Sequence, residues 1–351
     1  MRLVSYISFR SIFAFVTGFL LLLFFGQWII SVLLRNGIRE NIREYGDITN
    51  PHKRGTPTMG GILIVGAVLI PSLLWCNLEN RFIQILLTSV LWFGGIGFMD
   101  DILKIRHRQT DLGLSRRWKL LLQGTFGLLL GLIILSPHLS PFPPGFGGKL
   151  FLPFIKGAIT DLGWAYIIFI IFVVMSISNA VNFADGLDGL AIVPSSVTTL
   201  VYGIFAYILG NVNYSNYLLF DHIPGSGEAT VFCAALTGAG LGFLWYNAYP
   251  AQIFMGDTGS LTLGGTIATL AVILKQEFLF LIAGGIFLAE AFSVLVQDRI
   301  GIAWLGRRLF YRAPLHHTFQ HRGIPETTVV VRFWIISIVL ALLSLATLKI
   351  R

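Results

Sequence analysis

The polar residues of the stretch 179–190, NAVNFADGLDGL, are spaced for a ligand. Asn179, Asn182, Asp185 and Asp188 recur at every third position. Residues three apart are neighbours on an α-helix, so the four side chains form a slowly winding polar stripe. Gly186 and Gly189 let the backbone turn or come close to a bound group. Capping the adjoining helix needs one such side chain, and four amides and carboxylates point instead to a binding site. Two other acidic positions stand out. Asp100-Asp101 follow directly on an uncharged run, residues 82–99. Adjacent carboxylates at such a boundary repel each other and lose hydration, and a divalent cation relieves both costs. Oxygen donors select a hard ion such as Mg²⁺. Asp257 is the only charge in NAYPAQIFMGDTGSL, 247–261, and sits between Gly256 and Gly259. A lone carboxylate in a glycine-rich turn beside hydrocarbon is costly unless it binds something, such as a metal.

Cationic and aromatic candidates flank these acids. HKRGTPTMGG, 52–61, carries Lys53 and Arg54 as positive donors, Thr56 and Thr58 as hydroxyls, and Gly60-Gly61 where a phosphate can approach the backbone. The spacing of a Walker A loop is absent, and the Lys-Arg pair serves equally as a topology marker. Lys119 follows Arg116 and Arg117; the three can meet anionic headgroups, although the arginines read better as topology anchors. Phe254, three residues before Asp257, offers a flat face on which a base can stack. His316-His317, in PLHHTFQHRG at 314–323, can hold a phosphate, bind metal or move protons. No zinc-type spacing accompanies them, and the five arginines between 299 and 322 favour an anionic ligand. Glu290 lies inside an apolar run, which makes it a functional candidate by default or a bond to a neighbouring helix.

Elements must bring these groups to one surface. Hydrophobic residues form 55% of the chain and charged residues 12%, the composition of a polytopic membrane protein. Ten apolar segments can be drawn: 12–34, 60–76, 82–98, 120–135, 164–178, 192–209, 231–249, 263–274, 278–296 and 333–348. Each is long enough, or nearly so, to cross about 30 Å of hydrocarbon. The expected fold is all-α, a single transmembrane catalytic domain over residues 1–351 with no room for a separate soluble domain and no internal repeat. Ten crossings put both termini on one side. The loops then divide the 25 Lys and Arg residues into 17 on one face and 8 on the other. The positive-inside rule gives the richer face to the cytoplasm, so both termini are expected in the periplasm and every candidate above at the cytoplasmic face. Cys76 and Cys233 sit in apolar runs and indicate neither a disulfide framework nor a thiolate metal site. No nucleic-acid-binding motif accompanies the net charge of +8.

Acidic metal ligands, cationic and imidazole donors, amides and an aromatic platform together suit phosphoryl transfer. Two anionic reactants must be screened from each other, and metal and positive donors do so. A site at the bilayer surface suggests a lipid as one reactant. TPTMGG, the boundary at Asp100-Asp101, NAVNFADGLDGL, NAYPAQIFMGDTGSL and PLHHTFQHRG resemble, in that order, the motifs of the phospho-N-acetylmuramoyl-pentapeptide-transferase family, within the polyprenyl-phosphate N-acetylhexosamine-1-phosphate transferases. The resemblance covers nearly the whole chain. It implies transfer of phospho-MurNAc-pentapeptide from UDP-MurNAc-pentapeptide to undecaprenyl phosphate, giving lipid I and UMP. It also implies Mg²⁺ dependence, a bacterial inner-membrane location and a homodimer. By position, Asp100, Asp101 and Asp257 match the family's catalytic aspartates, with Asp257 as metal ligand and Asp100 as candidate base. Lys53, Thr58, Asn179, Asn182, Asp185, Asp188, Asn247, Phe254 and Gln297 match positions lining the nucleoside and phosphate pocket. His316 and His317 match the first two members of a triple-His motif, whose third place is here Thr318 and whose following acidic place is Gln320. Two other readings compete: a UDP-GlcNAc:undecaprenyl-phosphate GlcNAc-1-phosphate transferase, and a cation-coupled transporter using the carboxylates as ion sites.

Overall fold

The computed structural model describes residues 3–39, 55–107 and 113–350. Its helices are α1 (Ile7–Arg35), α2 (Gly61–Trp75), α3 (Arg81–His107), α4 (Arg116–Leu135), α5 (Ala165–Ala184), α6 (Ile192–Leu209), α7 (Val212–Tyr217), α8 (Glu228–Asn247) and α9 (Gly256–Ile273). They continue with α10 (Phe280–Ala283), α11 (Gly285–Leu295), α12 (Leu315–His321) and α13 (Glu326–Ala346). The only strands among the described residues are β1 (Lys149–Leu150) and β2 (Thr160–Asp161), an antiparallel pair with Lys149 opposite Asp161. An apolar run in hydrocarbon must satisfy its backbone internally, which is why each of the ten apolar segments falls on helix. Seven helices are long and apolar enough to cross a membrane: α1, α3, α4, α5, α6, α8 and α13. The ninth apolar segment is broken at Gly284, and the helical stretches on either side, 277–283 and 285–302, diverge by 87°. The second is a 15-residue helix.

α9 is the core of the bundle. Every residue from Thr258 to Ile273 is buried, and the sequence there is rich in Gly, Thr, Ser and Ala. Small side chains let helices approach closely, with hydroxyls bonding inside or between them. The Ser89 and Thr269 hydroxyls meet at 2.9 Å across the α3–α9 contact. The α3 and α9 backbones come close at Gly97 of α3, where a Cβ would lie 2.2 Å from the Asp257 carbonyl oxygen. Only glycine fits there, and the crossing delivers the next turn of α3, with Asp100 and Asp101, to the start of α9.

Several helices extend beyond their apolar runs, four of them toward the polar residues singled out above. α3 continues to His107, α5 to Ala184, α9 begins at Gly256 and α13 at Glu326. Asp100, Asp101, Asn179, Asn182 and Asp257, expected in or at the edges of loops, therefore stand on helix ends. The apolar pattern stops where side chains become polar; the helix continues because those side chains partner one another.

At the opposite end of α9 a second polar group is buried. Lys275 is 1% exposed, donates to the Gly147 carbonyl, and lies 3.7 Å from the centre of the Tyr166 ring. Glu277, also buried, accepts from the Tyr166 hydroxyl. Burial pushes the Lys275 ammonium down to about 7. Cys76 and Cys233 are both buried and unbridged.

Candidate active site

The acidic centre is built where α3 meets α9. The helix cap position of α9, Met255, supplies no side-chain oxygen to the orphan amides of the first turn. Asp101 supplies it from α3. Its carboxylate accepts from the amides of Asp257 (3.1 Å) and Thr258 (2.9 Å) and from the Thr258 hydroxyl (2.6 Å). Gly256 turns the chain into the helix at φ +69°, and a Cβ there would lie 2.7 Å from Asp101 Oδ2 and 3.2 Å from the Thr58 hydroxyl. Thr58 is held nearby because its loop pairs with the segment before α9: the Phe254 amide donates to the Pro57 carbonyl at 2.8 Å, and the Gly60 amide to the Phe254 carbonyl at 2.9 Å.

Asp100, fully buried, accepts the Leu114 amide at 2.7 Å. Just after that amide, Ser115 caps α4 by accepting from Trp118, which places Lys119 on the first turn. Lys119 Nζ reaches Asp257 Oδ2 at 2.5 Å and Asp100 Oδ1 at 2.9 Å. Lys104 adds a second cation, 2.6 Å from Asp100 and 3.3 Å from Asp257. Asn182, one turn from the end of α5, donates its amide to Asp257 Oδ1 at 3.1 Å and to the Ser260 hydroxyl at 2.8 Å. One carboxylate oxygen from each of Asp100, Asp101 and Asp257 lies within 4.8 Å of the others. Three carboxylates against two ammonium groups leave a net negative, oxygen-rich pocket able to take a hard divalent cation. Lys104 was absent from the sequence candidates. Its spacing of four from Asp100 is a helical ion-pair signal, hidden while that segment was read as loop.

A second cluster fixes the turn that follows α5. The Gly189 amide donates to Asn247 Oδ1 at 3.0 Å, and the Asn247 amide to the Ile253 carbonyl at 2.8 Å. Asp188 accepts from the Ala251 amide at 3.0 Å, while its own amide donates to Glu326 at 3.0 Å. These bonds stitch together the turns before α6 and α9, so Asn247 and Asp188 hold the pocket's frame. Asn179 lies a turn farther back, donating to Gln123 at 2.6 Å. Asp185 caps the end of α5, and Phe254 is half-buried in the segment before α9. The Gln297 carbonyl oxygen accepts from the amides of Leu309 (3.1 Å) and Phe310 (2.9 Å), which fixes the return of the long loop. The His316 and His317 rings lie 4.2 Å apart, tilted by 58°; the first is buried and the second half-buried. The Thr318 hydroxyl bonds the Arg312 backbone. Lys53 lies outside the described residues.

The chain that builds this site, an apolar helical bundle with three aspartates and two lysines at one end of its central helix, is similar in sequence to known proteins. Residues 83–275 match the model of Glycosyl transferase family 4. Residues 53–65 match signature 1 of phospho-N-acetylmuramoyl-pentapeptide-transferase. Proteins of that name are similar over almost their full length. The one from Desulfotalea psychrophila is 49% identical over 99% of this chain and 94% of its own. Those from Desulforapulum autotrophicum and Citrifermentans bemidjiense are 47% and 45% identical, covering 100% and 99% of this chain and 96% and 95% of theirs. The chain belongs to the phospho-N-acetylmuramoyl-pentapeptide-transferase family.

Proposed function

We propose that the chain transfers phospho-MurNAc-pentapeptide from UDP-MurNAc-pentapeptide to undecaprenyl phosphate, releasing UMP and forming lipid I for peptidoglycan synthesis. The observation that carries this reading is the meeting of Asp100, Asp101 and Asp257 with Lys104 and Lys119 in a single pocket. It is supported by the family to which the chain belongs. The donor set fits Mg²⁺: carboxylate oxygens, no soft ligand, and a spread small enough for one ion. Bound there, Mg²⁺ would screen the negative charge shared by the diphosphate and the attacking phosphate. Asp257, the most accessible of the three acids, is the metal ligand, with Asn182 and Lys119 aligning its two oxygens. Asp101, committed to the amides of α9, holds the frame.

Lys104 and Lys119 bring positive charge to the place where two phosphates must approach, and so lower the barrier electrostatically. An oxygen of undecaprenyl phosphate bonds to the sugar-bearing phosphorus, the bond to the bridging oxygen breaks, and UMP leaves. A lipid phosphate already largely ionised near neutral pH needs little deprotonation, so Asp100 serves attack less as a base than by holding Lys104 and Lys119 in place. Phe254 stacks on uracil, and Lys53, Thr58, Asn179, Asp185, Asp188, Asn247, Gln297, His316 and His317 line or frame the donor pocket.

The ten segments form ten crossings of the bacterial inner membrane in one catalytic domain. The acidic centre faces the cytoplasm and both termini the periplasm, with a second copy making a homodimer. The test is UMP release by purified protein given undecaprenyl phosphate and Mg²⁺, with UDP-MurNAc-pentapeptide or UDP-GlcNAc as donor and an EDTA control. Release from the muropeptide donor alone, lost with EDTA, is the expected result. Release from UDP-GlcNAc alone would move the chain to the sister activity, and none from either, with folded protein, would reopen cation transport.

A further inference from the structure

Glu290 is the one acid of the apolar helices near the pocket for which the reaction above has no use. It lies on α11, fully buried, and faces α12. Its Oε1 accepts the His316 backbone amide at 3.2 Å, and its Oε2 lies 3.2 Å from His316 Nδ1. That second contact is close enough for an ion pair yet too poorly aligned for a hydrogen bond, so Oε2, Nδ1 and Nε2 all lack hydrogen-bond partners. Oε2 and Nδ1 at least face each other, but Nε2, on the far side of the ring, has nothing near it to bond and calls for a missing partner.

The direction of the ring says where that partner belongs. His316 is 1% exposed, and its Nε2 faces Gly186, where a Cβ would lie 2.2 Å from it. Gly186 itself is exposed, in the turn between α5 and α6 that carries Asp185 and Asp188. The missing side chain leaves a window, with an imidazole nitrogen beneath it. A ligand oxygen lying over Gly186 would find that nitrogen directly below.

We infer that Glu290 is a positioning residue that acts through His316. Its carboxylate holds Nδ1 toward itself and presents Nε2 at the Gly186 window, as a donor to an oxygen of the nucleotide-linked substrate. This is the ordering by which a carboxylate fixes the tautomer and direction of a working histidine. The inference rests on the assignment of the donor pocket to this turn. Lipid phosphate has no part in it, and that separates it from a general role in stability.

Full-length protein in detergent, as wild type, Glu290→Gln, His316→Ala and the double variant, provides the test. Donor KM, lipid-phosphate KM and kcat are measured, with UMP affinity by calorimetry and melting temperature as a check on folding. Glu290→Gln keeps the acceptor for the His316 amide and loses the charge. Its donor KM should rise roughly tenfold, the scale of a weakened charge-assisted hydrogen bond, with UMP affinity falling in step. The lipid-phosphate KM should stay within about twofold, and the double variant should be no worse than His316→Ala because the two act as one unit. A wild-type donor KM in Glu290→Gln, a rise in both KM values together, or additive effects in the double variant would overturn the inference. If His316→Ala also keeps the wild-type donor KM, the pocket assignment itself has failed. Should Glu290→Gln not fold, Gly186→Ala takes its place: the added methyl closes the window from the exposed side, and an unchanged donor KM there counts equally against the inference.

Discussion

α9 carries a buried polar cluster at each end, and the two are built on opposite terms. At its start, three carboxylates meet two lysines; Asp257, Lys104 and Lys119 keep side-chain exposures of 16%, 27% and 22%. Just past its end, Lys275 and Glu277 are buried beside aromatic rings; Lys275 donates to the Gly147 carbonyl and one Glu277 oxygen accepts from Tyr166, while the other, Oε2, has no hydrogen-bond partner. Asp257, in the first turn of α9, suits the helix dipole, as does Lys275 beyond its last turn when protonated. The first cluster is open and left with an excess of negative charge, which a ligand can complete. The second is closed and serves the bundle. Burial of charge alone therefore does not mark the active end; incomplete compensation together with access does.

The sharpest way to break this contrast is Asp257→Asn. Removing one carboxylate from the open cluster should lower UMP release by roughly a thousandfold or more, the scale of losing a main electrostatic contributor, with little change in melting temperature. Normal turnover would end the assignment. Lys119→Met should follow, with kcat/KM down roughly ten- to a hundredfold, the scale of one charged hydrogen bond. Lys275→Met, at the closed end, should leave kcat/KM within about twofold, and a comparable loss there would erase the distinction.

Mg²⁺ sharpens the comparison without turnover. An ion that binds only the folded state raises the melting temperature. Addition after EDTA treatment should stabilise the wild type and Lys275→Met but not Asp257→Asn. pH addresses the other end. Lys275 titrates at about 7 in the folded chain against 10.5 unfolded, so between these values the unfolded chain holds the proton that the folded one has released. Stability should therefore rise with pH across that window and fall as pH drops toward 7. Melting at pH 7.5 and 9.5 reads this slope, which Lys275→Met should flatten. The smallest effect concerns the missing third histidine. The Thr318 hydroxyl is buried against the Arg312 backbone, so Thr318→His should cost about 1–3 kcal/mol in denaturant unfolding. It should bring no gain in UMP release.

Much of this was legible in the chain because hydrocarbon leaves a helix few alternatives. Apolar length located helix at each of the ten segments, seven of them long and apolar enough to cross a membrane, and the aspartates announced themselves by their cost in apolar surroundings. Helix ends were less legible, since hydropathy stops at Phe98 while hydrogen bonding carries α3 on to His107. That error hid Lys104. Asp188 and Asn247 also bond backbone amides or carbonyls of neighbouring turns, which residue type does not announce. Nor does sequence spacing reveal that Glu290 and His316 meet; their 26-residue separation is closed only by the fold. Lys275 and Glu277 gave no signal of pairing with Tyr166, because the partners lie more than a hundred residues away.

One consequence of the buried central helix concerns the bilayer itself. From Thr258 onward α9 is covered by protein, and its crossings with α3 and α5 involve small residues rather than lipid. The bent pair α10–α11, which carries Glu290, has exposed apolar side chains at Leu281, Phe292 and Leu295. Changes in membrane thickness act through tilt and bending of lipid-facing helices. Asp257 is thus mechanically insulated from acyl-chain length, whereas the histidine side of the pocket is coupled to it, as are Asp100 and Asp101 on α3, which exposes Leu91, Phe98 and Met99. Lipids of graded chain length accordingly become a handle on how α3 and α11 meet the fixed amino end of α9.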